Sequence, residues 1–312
     1  MKGLFKTYNK LSNFGKILLF VAVLLALIIF FKRLNNRSDG ISREGYEQND
    51  QFIFKTGAEV YDDFYSTIYD YLVFNESKND FEISQIVSIT KPSADSAILD
   101  VGSGTGHHVA KMTEKGFNVV GLDISPAMVK EANTKYPEHG KKFKVGDALN
   151  LAEFHNNSFS HIMCMYFTVY YLNNKRKFFN NCMEWLKPGG CLILHVVDRD
   201  KFDPILPPGN PLYIVSPQKY AKERITKTKV TFNEFVYNSN FSLDDAGNRA
   251  VFEEKFKFND GKVRKQEQVL YMEDADEIVS QATDAGFVIQ SKIDLVKCAY
   301  DNQYLYILVK PA

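Results

Sequence analysis

The sequence predicts an α/β protein: a doubly wound, seven-stranded, mostly parallel sheet with an antiparallel meander inserted toward its C-terminal end. Three observations lead there. From residue 97 onward, short apolar runs alternate with helical patterns, the order that builds parallel βαβ units. A glycine-rich turn, "GSGTG", separates the first such run from a helix. Later, three runs of alternating polarity are joined by "DDAG" and "NDG", which are hairpin signals.

Two helices, "VYDDFYSTIYDYLVF" (60–74) and "DFEISQIVSIT" (80–90), are expected ahead of the first strand, "AILDV". A helix follows in "HHVAKMTEKG" and stops at Gly116, then comes the strand "NVVGLD". Ser125 and Pro126 mark the next helix, "SPAMVKEANTKY", as N-cap and first helical position. "KFKVGD" and "HIMCMYF" are the next strands, and "KRKFFNNCMEWL" is a helix closed by "KPGG" before the strand "CLILHVV". A proline-rich loop and a short helix near Ser216-Pro217 precede the meander, whose three runs are 229–238, 249–258 and 262–272. A helix in "DADEIVSQATDAG" and the strands "FVIQSKIDLV" and "QYLYILV" complete the sheet.

Composition narrows the partners. The 38 Lys and Arg balance the 38 Asp and Glu, which argues against a general nucleic-acid binder. Cys164, Cys182, Cys191 and Cys298 form no C-x-x-C pair and read as reduced thiols. No metal site is expected: the adjacent His107 and His108 point about 100° apart on a helix.

The N-terminus has a different texture. "ILLFVAVLLALIIFF" (17–31) is unbroken apolar sequence between Lys16 and Lys32-Arg33. Its fifteen residues rise about 22 Å as a helix, short of the ~30 Å hydrocarbon core, and snorkelling lysines would narrow the gap. A cleaved targeting segment and a buried core helix are the rival readings. No small-residue cleavage site follows Phe31, and the run has no polar face. The expected organisation is therefore a tail and single-pass membrane anchor over 1–33, a polar linker over 34–50 and a catalytic domain over 51–312, with 199–272 as a substrate cover. Basic residues flank the run equally, so charge does not orient it. Unpaired cysteines place the domain on the cytosolic side, where sequons at Asn36, Asn75 and Asn156 would stay unmodified.

The glycine-rich turn and three acids carry the chemistry. Gly102, Gly104 and Gly106 let backbone approach a ligand closely, but His107 stands where a dinucleotide fingerprint needs its third glycine. Asp100 lies just before the turn, where it would repel a diphosphate and welcome an ammonium. Asp123 ends the second strand, placed to accept ribose hydroxyls, and Asp147 ends the third, placed to accept from an adenine amino group. S-adenosylmethionine (SAM) has those three parts and no phosphate.

With "LDVGSGTG", "GLDISPAMV", "VGDAL" and "LKPGGCLIL" at this spacing, residues 51–312 resemble the class I SAM-dependent methyltransferases. The resemblance implies SAM as cofactor, held by the turn at Gly102, Gly104 and Gly106, with Asp123 on the ribose. Ile124 and Met128 would pack on the adenine, Asp147 and Ala148 would meet its edge, and Met165 would supply a backbone contact. The D/N-P-P-Y/F signature of base and amide N-methyltransferases is missing, and "MYFTVYYL" stands in its place. The chain looks more similar to the small-molecule branch acting on quinones and amino sugars. In that branch Tyr69 matches a position near SAM and Tyr61 one facing the acceptor. Tyr171, with Tyr170, stands where several relatives place a histidine. A phenol with its ordinary pKa near 10 is a poor base, so base catalysis is in doubt and Tyr61 and Tyr171 are expected to position the acceptor. His195 reads as a satisfied core histidine, and "FEEKFKF" and "KVRKQEQ" as the solvated face of the meander. Three functions stand open: a methyltransferase acting on an N, O or C atom of a small-molecule or lipid-like acceptor, a catalytically silent SAM-binding module, and an NAD-type oxidoreductase.

Overall fold

The computed structural model describes Lys16, residues 52–204, Gln218, residues 221–244 and residues 248–312. A strand the sequence reading missed comes first, β1 (Phe52–Thr56). Two helices follow, α1 (Asp63–Val73) and α2 (Glu76–Thr90). Asp62 caps α1 by accepting from Tyr65 N, and Asn75 caps α2 by accepting from Lys78 N. Alternation then begins: β2 (Ala97–Val101), α3 (His107–Glu114), β3 (Asn118–Asp123), α4 (Pro126–Lys135), β4 (Phe143–Val145) and β5 (Phe159–Cys164). Ser125 caps α4 through Met128 N at 3.1 Å, with Pro126 at the first helical position, as expected. Next come a short turn of helix α5 (Thr168–Tyr171), then α6 (Lys175–Trp185) and β6 (Leu186–Val197). The "KPGG" stretch lies inside β6 as a bulge: pairing with β5 jumps from Phe159–Leu186 to His161–Cys191.

The main sheet is completed by α7 (Ala275–Asp284), β11 (Val288–Asp294) and β12 (Gln303–Val309). Its seven strands lie in the order β11-β12-β6-β5-β2-β3-β4. The pairs β2–β3, β2–β5, β3–β4 and β5–β6 are parallel, whereas β12 runs antiparallel to β6 and to β11. This is the expected seven-stranded doubly wound sheet. Helices cover both faces. Ile83 and Ile86 of α2, Val109 and Met112 of α3, and Val129 and Ala132 of α4 bury one face. Phe178, Phe179 and Trp185 of α6 and Ile278 and Ala282 of α7 bury the other. Chain order steps from β2 to β3 on one side and returns to β5 on the other, so the sheet opens a crevice at the C-terminal ends of these strands, where such folds bind ligands.

The meander has four strands rather than three: β7 (Lys227–Thr231), β8 (Phe235–Leu243), β9 (Arg249–Phe258) and β10 (Val263–Tyr271). The first expected run, 229–238, folds back on itself at Phe232–Phe235, where Phe232 N donates to Phe235 O at 2.9 Å. No glycine marks that turn, so polarity alternation continued across it unbroken. β1 joins the far edge, parallel to β10, giving a five-stranded sheet β1-β10-β9-β8-β7. The cover thus recruits chain from before α1. The twelve strands among the described residues all lie within one unit, Asn49–Ala312.

One expectation needs correction. No helix among the described residues is long and apolar enough to cross a membrane. The apolar run 17–31 and the linker 34–50 lie outside the described residues, as do Ser216 and Pro217. The fifteen-residue run falls several ångströms short of a bilayer core even as a straight helix. The membrane-anchored, cytosol-facing assignment is withdrawn.

Candidate functional site

A cavity of about 480 Å³ opens at the crevice. Its floor is the turn after β2. Gly102 has φ +69°, and a Cβ there would lie 2.5 Å from Thr168 Cγ2 and closer still to its Oγ1, so only glycine fits beneath α5. Gly102 N and Ser103 N both donate to Leu122 O, at 2.7 and 3.1 Å, which clamps the turn to β3. Gly104 has φ +53°, and a Cβ there would meet only the Tyr69 ring, at 3.8 Å, so its bare backbone lines the cavity. Gly106 differs from its neighbours: it caps α3, and its missing side chain leaves room for the Phe143 ring, which a Cβ there would meet at 2.6 Å. It supports the turn without lining the cavity.

Strand ends supply the walls. Asp123 Oδ2 accepts from Gly104 N and Oδ1 from Ser125 N, both at 2.8 Å. These bonds fix the carboxylate at the cavity wall, although burial still pushes its pKa above the usual carboxylate range. Ile124, exposed, and Met128, buried on α4, stand beside it. Asp147 Oδ1 accepts from Leu149 N at 2.8 Å, and Ala148 O accepts from Asn181 of α6 at 2.9 Å, which holds the end of β4 in place. Tyr61, Tyr69 and Tyr171 complete the lining, with Gln268 and Val269 from β10.

Of the residues singled out in the sequence, Tyr61, Tyr69, Gly102, Gly104, Asp123, Ile124, Met128, Asp147, Ala148 and Tyr171 therefore share one cavity. Asp100 and Met165 do not line it. They line an adjoining cleft of about 100 Å³ that shares Tyr69, Gly102, Gly104 and Tyr166 with the larger one. Asp100 is 2 % exposed, and burial pushes its carboxyl up to about 6, against an opposing pull from His108. Tyr61 does not sit on the first helix but just ahead of its cap, Asp62.

The paired histidines that open α3 are held separately. His107 bonds Asp70 at 2.6 Å through Nε2 and Tyr136 at 2.8 Å through Nδ1, and His108 reaches Glu82 at 3.3 Å. His195 is fully buried between the Tyr166 carbonyl and the Gln303 side chain, as a core histidine should be. All four cysteines carry free thiols.

The charged strands of the meander are not simply a solvated face. Alternate residues turn inward, and Glu254, Arg264, Gln266 and Gln268 are all buried. Glu254 accepts from Tyr65 Oη at 3.0 Å, Tyr237 Oη at 2.8 Å and Gln266 Nε2 at 2.6 Å. Gln268 Oε1 accepts from the Tyr61 hydroxyl at 2.9 Å, and Arg264 donates to Asp62 at 2.7 Å and to Val60 O at 3.0 Å. The inward set has period two, as half-buried strands require, but its members are charged or amide residues, so the hydrophobic pattern gave no signal. Tyr166 and Thr168 were also missed. Tyr166 adopts φ +53°, a strained setting for a non-glycine residue, where the chain leaves β5.

None of the phenols is a base here. Desolvation in the cleft pushes Tyr61, Tyr69, Tyr166 and Tyr171 above the ordinary value; neighbouring tyrosines add to the rise for Tyr61, Tyr69 and Tyr166, whereas for Tyr171 a hydrogen bond with Tyr61 opposes it.

Comparison with known proteins agrees with this geometry. Residues 99–194 match the family model described as a methyltransferase domain. The phosphoethanolamine N-methyltransferase of Plasmodium falciparum is 34% identical over 113 residues, covering 35% of this chain and 42% of that protein. A ubiquinone biosynthesis O-methyltransferase of Rickettsia canadensis is 24% identical over 127 residues, covering 41% and 53%. The chain thus spans about half the length of the curated relatives it matches. Among solved structures, a SAM-dependent methyltransferase from Clostridium acetobutylicum superposes with a TM-score of 0.60 at 19% identity, covering 80% of this chain and 98% of that one. The likeness to this structure shows the fold, an α/β Rossmann-like sheet of the kind SAM-dependent methyltransferases have, and the match to the methyltransferase-domain model lies within it.

Proposed function

We propose that the chain is a SAM-dependent methyltransferase acting on a small-molecule acceptor. One observation carries the reading: a single cavity has the glycine turn, Asp123 and the end of β4 on one side, and Tyr61, Tyr171 and strand β10 of the cover on the other. The residues present fit the cofactor. Gly104 presents bare backbone, Asp123 has outward lone pairs left after its two backbone bonds, and Ile124 and Met128 offer an apolar slot. Asp100, buried beside the turn, suits an ammonium group. Asp147 and Ala148 would meet the adenine edge, and Met165 the backbone side of the adjoining cleft.

When bound, SAM supplies a methyl group made electrophilic by its sulfonium. The protein's own contribution is alignment and exclusion of water. Tyr61 is fixed by its bond to Gln268, and Tyr171 lies against it with ring centroids 6.0 Å apart. Their hydroxyls stay protonated, so they orient an acceptor rather than deprotonate it. Segment 199–272 acts as the cover through β10, and 51–312 is the catalytic domain. The relatives, a phosphoethanolamine N-methyltransferase and a ubiquinone biosynthesis O-methyltransferase, support a small acceptor.

Calorimetric titration of the full chain with S-adenosylhomocysteine tests cofactor binding, and no heat of binding refutes it. Methyl incorporation from labelled SAM into a metabolite and lipid extract tests turnover. Binding without incorporation would leave a silent SAM-binding module, and reduced-nicotinamide turnover would point to an oxidoreductase.

A further inference from the structure

We propose that the acceptor is an amine, received by an aromatic-walled pocket between the SAM crevice and the cover sheet. The inference rests on the methyltransferase reading above. A second cavity of about 70 Å³ adjoins the first and shares Tyr61, Tyr69, Tyr166 and Tyr171 with it. Tyr65, Phe202, Phe241 and Tyr300 extend its walls, and Asp203 is the acid that lines it among the described residues. Rings at these distances hold one another by edge-to-face contacts: Tyr61 lies 5.6 Å from Tyr65 and 6.3 Å from Tyr69. Such walls attract a cation, because the face of each ring is its negative side. Two of them already face an ammonium: Lys78 Nζ lies 5.2 Å from the Tyr166 centroid and 5.1 Å from that of Tyr300. The Lys78 charge is balanced by its buried pair with Glu82.

The hydroxyl directions sharpen the choice. Tyr65 donates its proton backward to Glu254, and Tyr61 donates to Gln268, whose own amide lies 3.4 Å from Glu254. With these protons given to Gln268 and Glu254, only lone pairs remain on the two phenolic oxygens, and the Tyr171 hydroxyl bonds the Tyr61 one. Lone pairs suit N–H donors and cationic nitrogen, and they repel a carboxylate acceptor. A phenol or alcohol acceptor meets a different obstacle. It would need to lose a proton during attack, and among the described residues that line the pocket Asp203 is the one carboxylate.

The step balances without a further reagent. The nitrogen lone pair forms the new N–C bond while the S–C bond breaks and returns its electron pair to sulfur. Positive charge moves from sulfur to nitrogen, toward the tyrosine faces. With a primary or secondary amine the surplus proton then leaves to water.

Choline and its neutral isostere 3,3-dimethylbutan-1-ol probe this directly, since they differ in charge and hardly in shape. The full chain, loaded with S-adenosylhomocysteine, is titrated with each. Choline is expected to bind at least about tenfold tighter, the size of desolvated cation–π attraction. Tyr171→Leu should cost choline about tenfold and the isostere little, whereas Tyr171→Phe, which keeps the ring, should leave both within about threefold. Equal affinity for the two probes, no binding of either, or equal losses in Tyr171→Leu overturns the amine inference. Failure of S-adenosylhomocysteine itself to bind overturns the methyltransferase reading instead, so the two failures are distinguishable.

Discussion

Gly102→Ala should damage both stability and cofactor binding, and the structure says by how much and through which neighbour. The residue sits at φ +69°, where an L side chain costs about 1–2 kcal/mol. Its new Cβ would lie 2.5 Å from Thr168 Cγ2 and 3.0 Å from Thr168 Cβ, against ordinary contacts nearer 4 Å. Overpacking of that kind costs about 1–3 kcal/mol. Together the two effects give a loss of roughly 2–5 kcal/mol. Thr168→Ala removes the closest atoms and relieves the clash but leaves the backbone cost. The double variant should therefore recover at least about 1 kcal/mol relative to the sum of the single changes. Urea denaturation of all four proteins measures the cycle, and titration with S-adenosylhomocysteine measures the turn's capacity to bind. A strictly additive cycle, or Gly102→Ala binding as tightly as the parent, would refute the claim that α5 locks the turn from above.

Three further outcomes follow from buried polar groups. Glu254→Ala strands the Tyr65, Tyr237 and Gln266 donors and should cost about 3 kcal/mol or more, whereas Glu254→Gln keeps an acceptor and should cost less; equal midpoints in urea would sink the idea. Burial pulls the Asp70 carboxyl upward, but bonds from His107, Lys135 and Thr105 outweigh it and hold it at about 2, below its ordinary 3.8. Its stabilisation of about 2 kcal/mol is thus present above pH 4 and lost as pH falls through about 2, and Asp70→Asn should flatten that part of the stability curve. His195 is shifted from 6.5 to about 4 by burial, with Lys78 adding to the effect. The unfolded chain takes up its proton first, so stability falls as pH drops from about 6.5 to 4, by about 3 kcal/mol, and His195→Gln should lose that slope; an unchanged slope would show that the ring is charged in the fold.

Much of the fold was legible because local signals agreed with one another. Ser125-Pro126, the strand "NVVGLD" and the helix "KRKFFNNCMEWL" each carry a cap, a stop or a period that the structure reproduces. What escaped notice was set by distant partners. β1 is a short edge strand whose Phe52 and Phe54 are more than half exposed, and only its pairing with β10, more than 200 residues away, makes it a strand. The β7–β8 turn lacks glycine, so periodicity alone could not place it.

The site divides along the same line, and the division explains why one wall could be read from spacing while Tyr61 and Tyr171 on the other came only from the family resemblance. Gly102, Gly104, Asp123 and Asp147 lie within one stretch of chain, at the ends of successive strands, so spacing alone brings them to one crevice. Tyr61, Tyr171 and Gln268 come from three remote segments and meet only when the cover folds over the sheet. The chemistry proposed for them would leave no motif, since displacement at a sulfonium needs alignment more than a base. What marks the acceptor side is instead a buried acid at Glu254 that commits the hydroxyl protons around it. The charged strand "FEEKFKF" hides that acid among exposed lysines of the same run. A run of charge in a strand is thus ambiguous until its alternate residues are assigned to a face, and here the inward face orders the tyrosines that line the cavity.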